Sequence, residues 1–167
     1  MQPKLSIEGL AVIKDGKLVD KLSSEETKAY NFLNNKFKRG VVNTTNPEHP
    51  NKITSLEILI SKTKTQLEFD GNVIHLKKKI NSRVSFAFAE KISHITSQNI
   101  RNSIEVSGEE NIKKICKNLF NDYNKKNIDI FNLQREFEIK YPKRKIDNCL
   151  QISELELESK VVIRGEH

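Results

Sequence analysis

Tryptophan is absent from the chain, and the two cysteines, Cys116 and Cys149, stand far apart without a CxxC pair. That spacing excludes a disulfide framework and a cysteine-based zinc site, leaving two ordinary thiols of core or surface. The four histidines, His49, His75, His94 and His167, share no ligand spacing with one another or with the cysteines, so no metal centre is expected. Glycine is scarce too: the six lie singly, which excludes a GxGxxG or P-loop phosphate cradle. No GxSxG sequence occurs, and no local motif sets a Ser, Cys or Thr nucleophile beside a histidine. The acidic pairs Glu25-Glu26 and Glu109-Glu110 fall in the first turns of predicted helices, where negative charge complements the helix dipole. No catalytic residue and no cofactor is therefore expected. Long apolar runs are missing as well: none approaches the ~18 residues of a membrane span. The opening "MQPKLSIEGL" lacks a signal-peptide core, so the chain as written is expected to be soluble.

What is present fits one domain over residues 1–167, long enough to bury a core without staples. Hydrophobic residues make up 36% and charged residues 31%, which suits a modest Ile/Leu/Phe core under a heavily charged surface. The formal charge of +7 suits an anionic partner: nucleic acid, an acidic membrane surface or an acidic protein. The excess is mostly scattered lysine, in a chain rich in Lys and Asn and poor in Arg, as an AT-rich genome produces without selection for binding. Both readings stand at this level.

Along the chain, "GLAVIKDGKLVDKLS" places Asp15-Gly16 between two apolar runs, the signature of a two-residue hairpin turn. Leu10 and Val12 point one way and Ala11 and Ile13 the other, which predicts a central strand covered on both faces. Ser23 and Glu26 form a capping box before a helix with Ala29, Tyr30, Leu33 and Phe37 inward and Gly40 as its C-cap. "VVNTT" then reads as a short strand before the loop "NPEHPNK". In the long strand that follows, Leu56, Ile58 and Ile60 share one face, whereas Leu67 and Phe69 have the opposite parity. A bulge, twist or exit from the sheet is required, and it is placed at "SKTK", Ser61 to Lys64. Asp70-Gly71 turns the chain into a return strand with Ile74, Leu76, Ile80, Val84, Phe86 and Phe88 on one parity. Residues 91–106 are polar, weakly periodic and unassigned. Ser107 and Glu110 form a second capping box before a stripe from Ile112 to Tyr123, and Asp129 caps a helix with Ile130, Leu133 and Phe137 inward that ends before Pro142. "LELESKVVIRG" alternates as a last strand. The expected fold is α+β: a largely antiparallel twisted sheet built from two hairpins plus a C-terminal strand, with about three helices packed on it.

Three separated stretches carry a family likeness. "GLAVIKDGKLVDKLSSEETKAYNFLNNKFKRG", the "SKTK" within "LEILISKTKTQLEFD", and "IDIFNLQREFEIKYPKRK" occur in one order over Gly9 to about Val162. Together they resemble the C-terminal, third domain of the spore germination receptor C subunits, the Ger(x)C or GerAC-like lipoproteins. The chain departs from that pattern in having "FNLQ" after "DIF" and no tryptophan after "KYP", and residues 91–106 match poorly. The resemblance implies a non-enzymatic domain of a nutrient germinant receptor, acting through protein-protein contacts. It implies integral membrane subunits of A and B type as partners, and residence at the outer face of the spore inner membrane through an acylated N-terminal cysteine of the full-length parent. Neither Cys116 nor Cys149 is placed to carry that lipid, so this chain is expected to be a soluble fragment.

On this reading Lys62, Thr63 and Lys64 are candidates for contact with another domain, a subunit or anionic headgroups, joined by Lys77 and Lys79 of "LKKKI" and by Lys143 and Arg144 of "KYPKRK". Lysines that guard a twisted edge strand against pairing explain Lys62 and Lys64 equally. The rival class is a basic nucleic-acid-binding domain, although "LKKKI" has no aromatic among its neighbours for base stacking.

Overall fold

The computed structural model describes residues 9–45, 50–51, 53–88 and 97–164; His49, His94, His167, most of the "NPEHPNK" loop and residues 89–96 lie outside these, as does the Phe88 side chain. The chain opens with β1 (Leu10–Lys14) and β2 (Lys17–Leu22), joined through Asp15 and Gly16. Both turn residues take positive φ, 51° and 74°, as a two-residue hairpin needs. Among the described residues the two strands form a sheet of their own and pair with no third strand. This corrects the expectation of a strand covered on both faces: Leu10, Ile13, Leu18 and Val19 are exposed, Ile13 at 60%. Lys126 and Tyr123 of a later helix hold this ribbon by its Asp20 carboxylate at 2.7 and 2.9 Å. The Lys126 ammonium, the Lys21 amide and the Tyr123 hydroxyl together draw Asp20 down to about 2.

Helix α1 (Ser24–Leu33) starts with the capping box as expected: Ser23 Oγ accepts the Glu26 N–H and the Glu26 carboxylate accepts that of Ser23. It ends earlier than the sequence suggests. Asn34 is its C-cap and Asn35 turns left-handed (φ 54°), so Phe37 lies beyond the helix and stacks on Phe32 at 4.2 Å. Gly40 is the first residue of the next strand, where a Cβ would stand 2.8 Å from the Phe37 ring.

The main sheet has the order β3 (Gly40–Thr45), β4 (Ile53–Phe69), β5 (Ile74–Phe88), β6 (Ser153–Ile163). β3, β4 and β5 are antiparallel neighbours; β6 lies parallel to β5. Its inner face carries Leu56, Ile58, Leu67, Ile74, Ile80, Val84 and Val161 into the core. Helix α2 (Gln98–Lys126) crosses this face over β3 and β6, burying Ile104, Gly108, Ile112, Leu119 and Tyr123, while α1 packs against α2, β4 and β5. α2 begins ten residues before the expected capping box. Ser107 is an interior residue whose hydroxyl instead accepts the N–H of Thr45 at 2.9 Å. Helix α3 (Leu133–Lys140) by contrast starts later than expected; Asp129 still caps it from outside, accepting the N–H groups of Phe131 and Gln134. A 3₁₀ turn at Cys149–Ile152 leads into β6. Cys116 and Cys149 are both buried free thiols, and burial pushes Cys116 up to about 12.

Candidate interaction surface

The parity switch in β4 occurs at Leu59, not at Ser61 to Lys64. Ile58 pairs with Val84 and Ile60 with Arg83, so Leu59 is the extra residue of a bulge. Three successive apolar residues, Ile58-Leu59-Ile60, carried that signal: a strictly alternating strand cannot bury all three. The consequence is that Ile60, assigned to the core with Leu56 and Ile58, lies on the outer face, 51% exposed.

Beyond the bulge the register of β4, β5 and β6 sets outer-face rows. From one end they read Ile60, Arg83, Val162; then Lys62, Asn81, Lys160; then Lys64, Lys79, Glu158; then Gln66, Lys77, Glu156; then Glu68, His75, Glu154. The far end neutralises itself. Lys77 meets Glu68 at 2.9 Å and Glu156 at 3.9 Å, Lys79 meets Glu158 at 3.2 Å, and His75 bridges Asp70 and Glu156 at 2.9 and 3.2 Å. Hydrogen bonds account for the shifts there: Asp70 holds His75 above its ordinary range, and Glu68 raises Lys77 while Lys77 lowers Glu68. The near end is different. Lys62, Lys64 and Arg83 have no ion-pair partner among the described residues, and Lys160 alone is paired, with Glu109 at 3.4 Å. Lys62, Arg83 and Lys160 rim a depression of about 310 Å³ that Ile60 and Val162 also line, the latter 45% exposed.

The structure therefore brings Lys62, Lys64, Lys77 and Lys79 to one face but leaves only the first two uncompensated. Thr63 is not part of it. It points inward, donating its hydroxyl to Phe32 O at 2.6 Å, and its N–H reaches Asn35 Oδ1 at 2.8 Å. Lys143 and Arg144 sit in the exposed turn after α3, a separate element. Ile60, Arg83, Lys160 and Val162 belong to the surface and were not singled out in the sequence. The edge reading of Lys62 and Lys64 also has a structural basis: β3 pairs only with Ile53 to Ile58, so among the described residues the rest of that edge has no strand beside it. Asn35, Lys140 and Tyr141 occupy its polar groups at Thr63, Leu67 and Phe69.

On the sheet's inner side, "LKKKI" hides its middle lysine. Lys78 falls between Leu76 and Ile80 on the core parity, 7% exposed, and its ammonium donates to Leu33 O at 2.8 Å, an end carbonyl of α1. Desolvation holds it down to about 8, against the pull of Glu136. An unfolded lysine titrates near ~10.4, so between pH ~8 and ~10.4 the unfolded chain binds more protons and Lys78 contributes stability that rises with pH. Cys116 and Cys149, both raised by burial, act in the opposite sense above ~8.5, in wild type and variant alike. The comparison with Lys78→Met isolates the lysine. At pH 7 the variant is expected to be more stable by about 2 kcal/mol in urea unfolding, net of the lost Leu33 contact, and the gap should close by pH ~10. A gap independent of pH would show that Lys78 is not desolvated.

Residues 8–165 match the family model described as Spore germination B3/GerAC like, C-terminal. Among solved structures, one described as the crystal structure of the GerBC protein is similar to this chain with a TM-score of 0.80 at 18% identity. The match covers 95% of this chain and 51% of that one, so the chain spans about half the length of that protein. The likeness is one of fold, including the α+β arrangement of three helices, a hairpin and a mixed sheet. A search of the curated proteins found no match.

Proposed function

We propose, since this chain belongs to the Spore germination B3/GerAC-like C-terminal family, that it is one domain of the C subunit of a nutrient germinant receptor, working by protein-protein contact without catalysis. In this reading it is part of a longer lipoprotein anchored at the outer face of the spore inner membrane, and its partners are the integral membrane subunits of A and B type. The observation that carries the contact reading is the near end of the outer sheet face. A bulge turns Ile60 outward toward the row it shares with Val162, Lys62 and Arg83 line the depression there, and Lys64 stands further along the same face, all three without counter-charges among the described residues. Apolar area rimmed by uncompensated charge favours an interface with an acidic, partly apolar partner surface, the charges steering encounter and the apolar centre supplying affinity.

Lys62→Glu with Lys64→Glu in the full-length parent tests this. Both side chains are exposed and have no bonding partner among the described residues, so stability should move by no more than about 0.5 kcal/mol. Association with the membrane subunits, measured by co-purification from detergent-solubilised spore membranes, should fall roughly ten-fold or more, and germination with it. Unchanged receptor levels and germination would sink the assignment of this face. The nucleic-acid reading is separated by retention on DNA, which for phosphate contacts falls steeply with salt. Less supports it: the outer-face rows from Ile60 to Glu154 carry no Phe or Tyr on which bases could stack.

A further inference from the structure

We propose that the groove between the C-terminal end of α1, the second half of β4 and α3 binds a small organic carboxylate. The groove has a volume of about 590 Å³, within the range of small-molecule sites. It lies on the inner side of the main sheet, away from the outer-face surface, and the inference does not rest on the assembly reading.

Lys78 is its centre. A buried ammonium has three N–H donors to place, and this one makes a single hydrogen bond among the described residues, to Leu33 O at 2.8 Å. Donors left unmade at a site 7% exposed are costly, and an oxyanion entering the groove would take them with charge-assisted hydrogen bonds. Lys36 and Lys140 line the same groove, their ammonium groups resting on Tyr30 Oη at 3.1 Å and on Leu67 O. Two carboxylates are also present. Glu68 is turned to Lys77 of the outer face at 2.9 Å, which leaves Glu136 as the one acid facing three lysines. The local balance is cationic. The remaining walls decide the class of anion: Leu33, Leu67, Leu76 and Leu133 line the groove beside Asn132. Apolar walls behind a desolvated cation suit a carboxylate with an aliphatic tail better than a fully hydrated inorganic ion. Bound carboxylate would also favour the charged amine, lifting Lys78 back from about 8.

Butanoate, acetate and inorganic phosphate, titrated separately into this chain labelled with ¹³C at lysine Cε, provide the test. Butanoate is expected to shift the Lys78 resonance saturably with a Kd on the order of 1 mM, as ordinary ligand efficiency gives for so small a molecule. It should raise the Lys78 pKa by about one unit and bind more tightly than acetate. In Lys78→Met the saturable response, followed at the Leu67 and Leu133 amides, should be lost while the remaining amide spectrum is retained. If that variant fails to fold, Lys36→Met with Lys140→Met, both exposed, should weaken butanoate several-fold at the wild-type Lys78 signal. No saturable shift at Lys78 with any of the three anions overturns the proposal. So does a Lys78→Met protein that still binds butanoate. Phosphate binding as tightly as butanoate overturns the carboxylate assignment in favour of a general anion site.

Discussion

Phe137→Ala is expected to destabilise the fold by about 3–5 kcal/mol, the range for removing a fully buried ring. Phe137 has 0% exposure, meets Phe69 edge-on at 5.4 Å and lies 5.1 Å from the Tyr141 ring. α3 has eight residues, too few to be helical without tertiary packing, and Phe137 with Leu133 is its buried stripe. More than the ring's own contacts is at stake. α3 also delivers Lys140 to Leu67 O and the Tyr141 hydroxyl to the Phe69 N–H at 3.2 Å, so its loosening exposes the strandless edge of β4 and removes a wall of the Lys78 groove. Urea unfolding followed by circular dichroism reads the stability, and hydrogen exchange at the Phe69 amide reads the edge. That amide should exchange faster by a larger factor than amides of β6. Ile139→Ala, on the exposed side of the same helix at 66%, should change stability by no more than about 0.5 kcal/mol. A Phe137→Ala effect as small as that of Ile139→Ala would mean that α3 is not held by its apolar stripe.

Features written in a few adjacent residues were legible in the sequence, and those set by partners far along the chain were not. The Asp15-Gly16 turn, the Ser23 and Glu26 cap, the Asp70-Gly71 turn and the stripe from Ile112 to Tyr123 are all local, and all are found. Local signals also misled where a tertiary partner took the residue. Ser107 carries a cap signature but is used by Thr45 from β3, and Gly40 resembles a helix stop but makes room for Phe37. The apolar alternation of Leu10 to Ile13 states only that the strand has two apolar faces. Whether another element covers them depends on pairing, and among the described residues the ribbon joins no larger sheet. The same division runs through the candidate surface. Lys62 and Lys64 were singled out from a parity switch that the structure places earlier, at Leu59, but that Lys77 and Lys79 are neutralised follows from β6 lying parallel to β5, which brings Glu156 and Glu158 alongside. The candidate surface read from the sequence takes in Lys77 and Lys79 and gives Lys78 no role, although the Leu76-Lys78-Ile80 alternation places it on the core parity, where it is buried.

Gly108 packs directly against the sheet, and its substitution should separate two opposing effects. It is buried in the interior of α2, and a Cβ built on it would stand 3.4 Å from Thr44 Cγ2, 3.5 Å from Leu56 Cδ1 and 3.7 Å from Val161 Cγ1. Those three neighbours belong to β3, β4 and β6, so this one position sets how far α2 stands from the sheet. The distances are those of ordinary contact, so a methyl group fits, and alanine removes the conformational freedom that glycine gives the unfolded chain. Gly108→Ala is therefore expected to stabilise by about 0.5–1 kcal/mol. Leucine carries three further carbons with no space beyond the first. Gly108→Leu must push α2 off Thr44, Leu56 and Val161, at about 3 kcal/mol, the upper part of the overpacking range. The displacement would reach the outer face through Glu109, whose carboxylate holds Lys160 at 3.4 Å and accepts the Val161 N–H at 3.0 Å. Thermal and urea unfolding of the two variants measure the signs. Opposite signs place the helix at contact distance, whereas destabilisation by alanine as well would mean that α2 needs glycine's closeness and that the sheet has no slack beneath it.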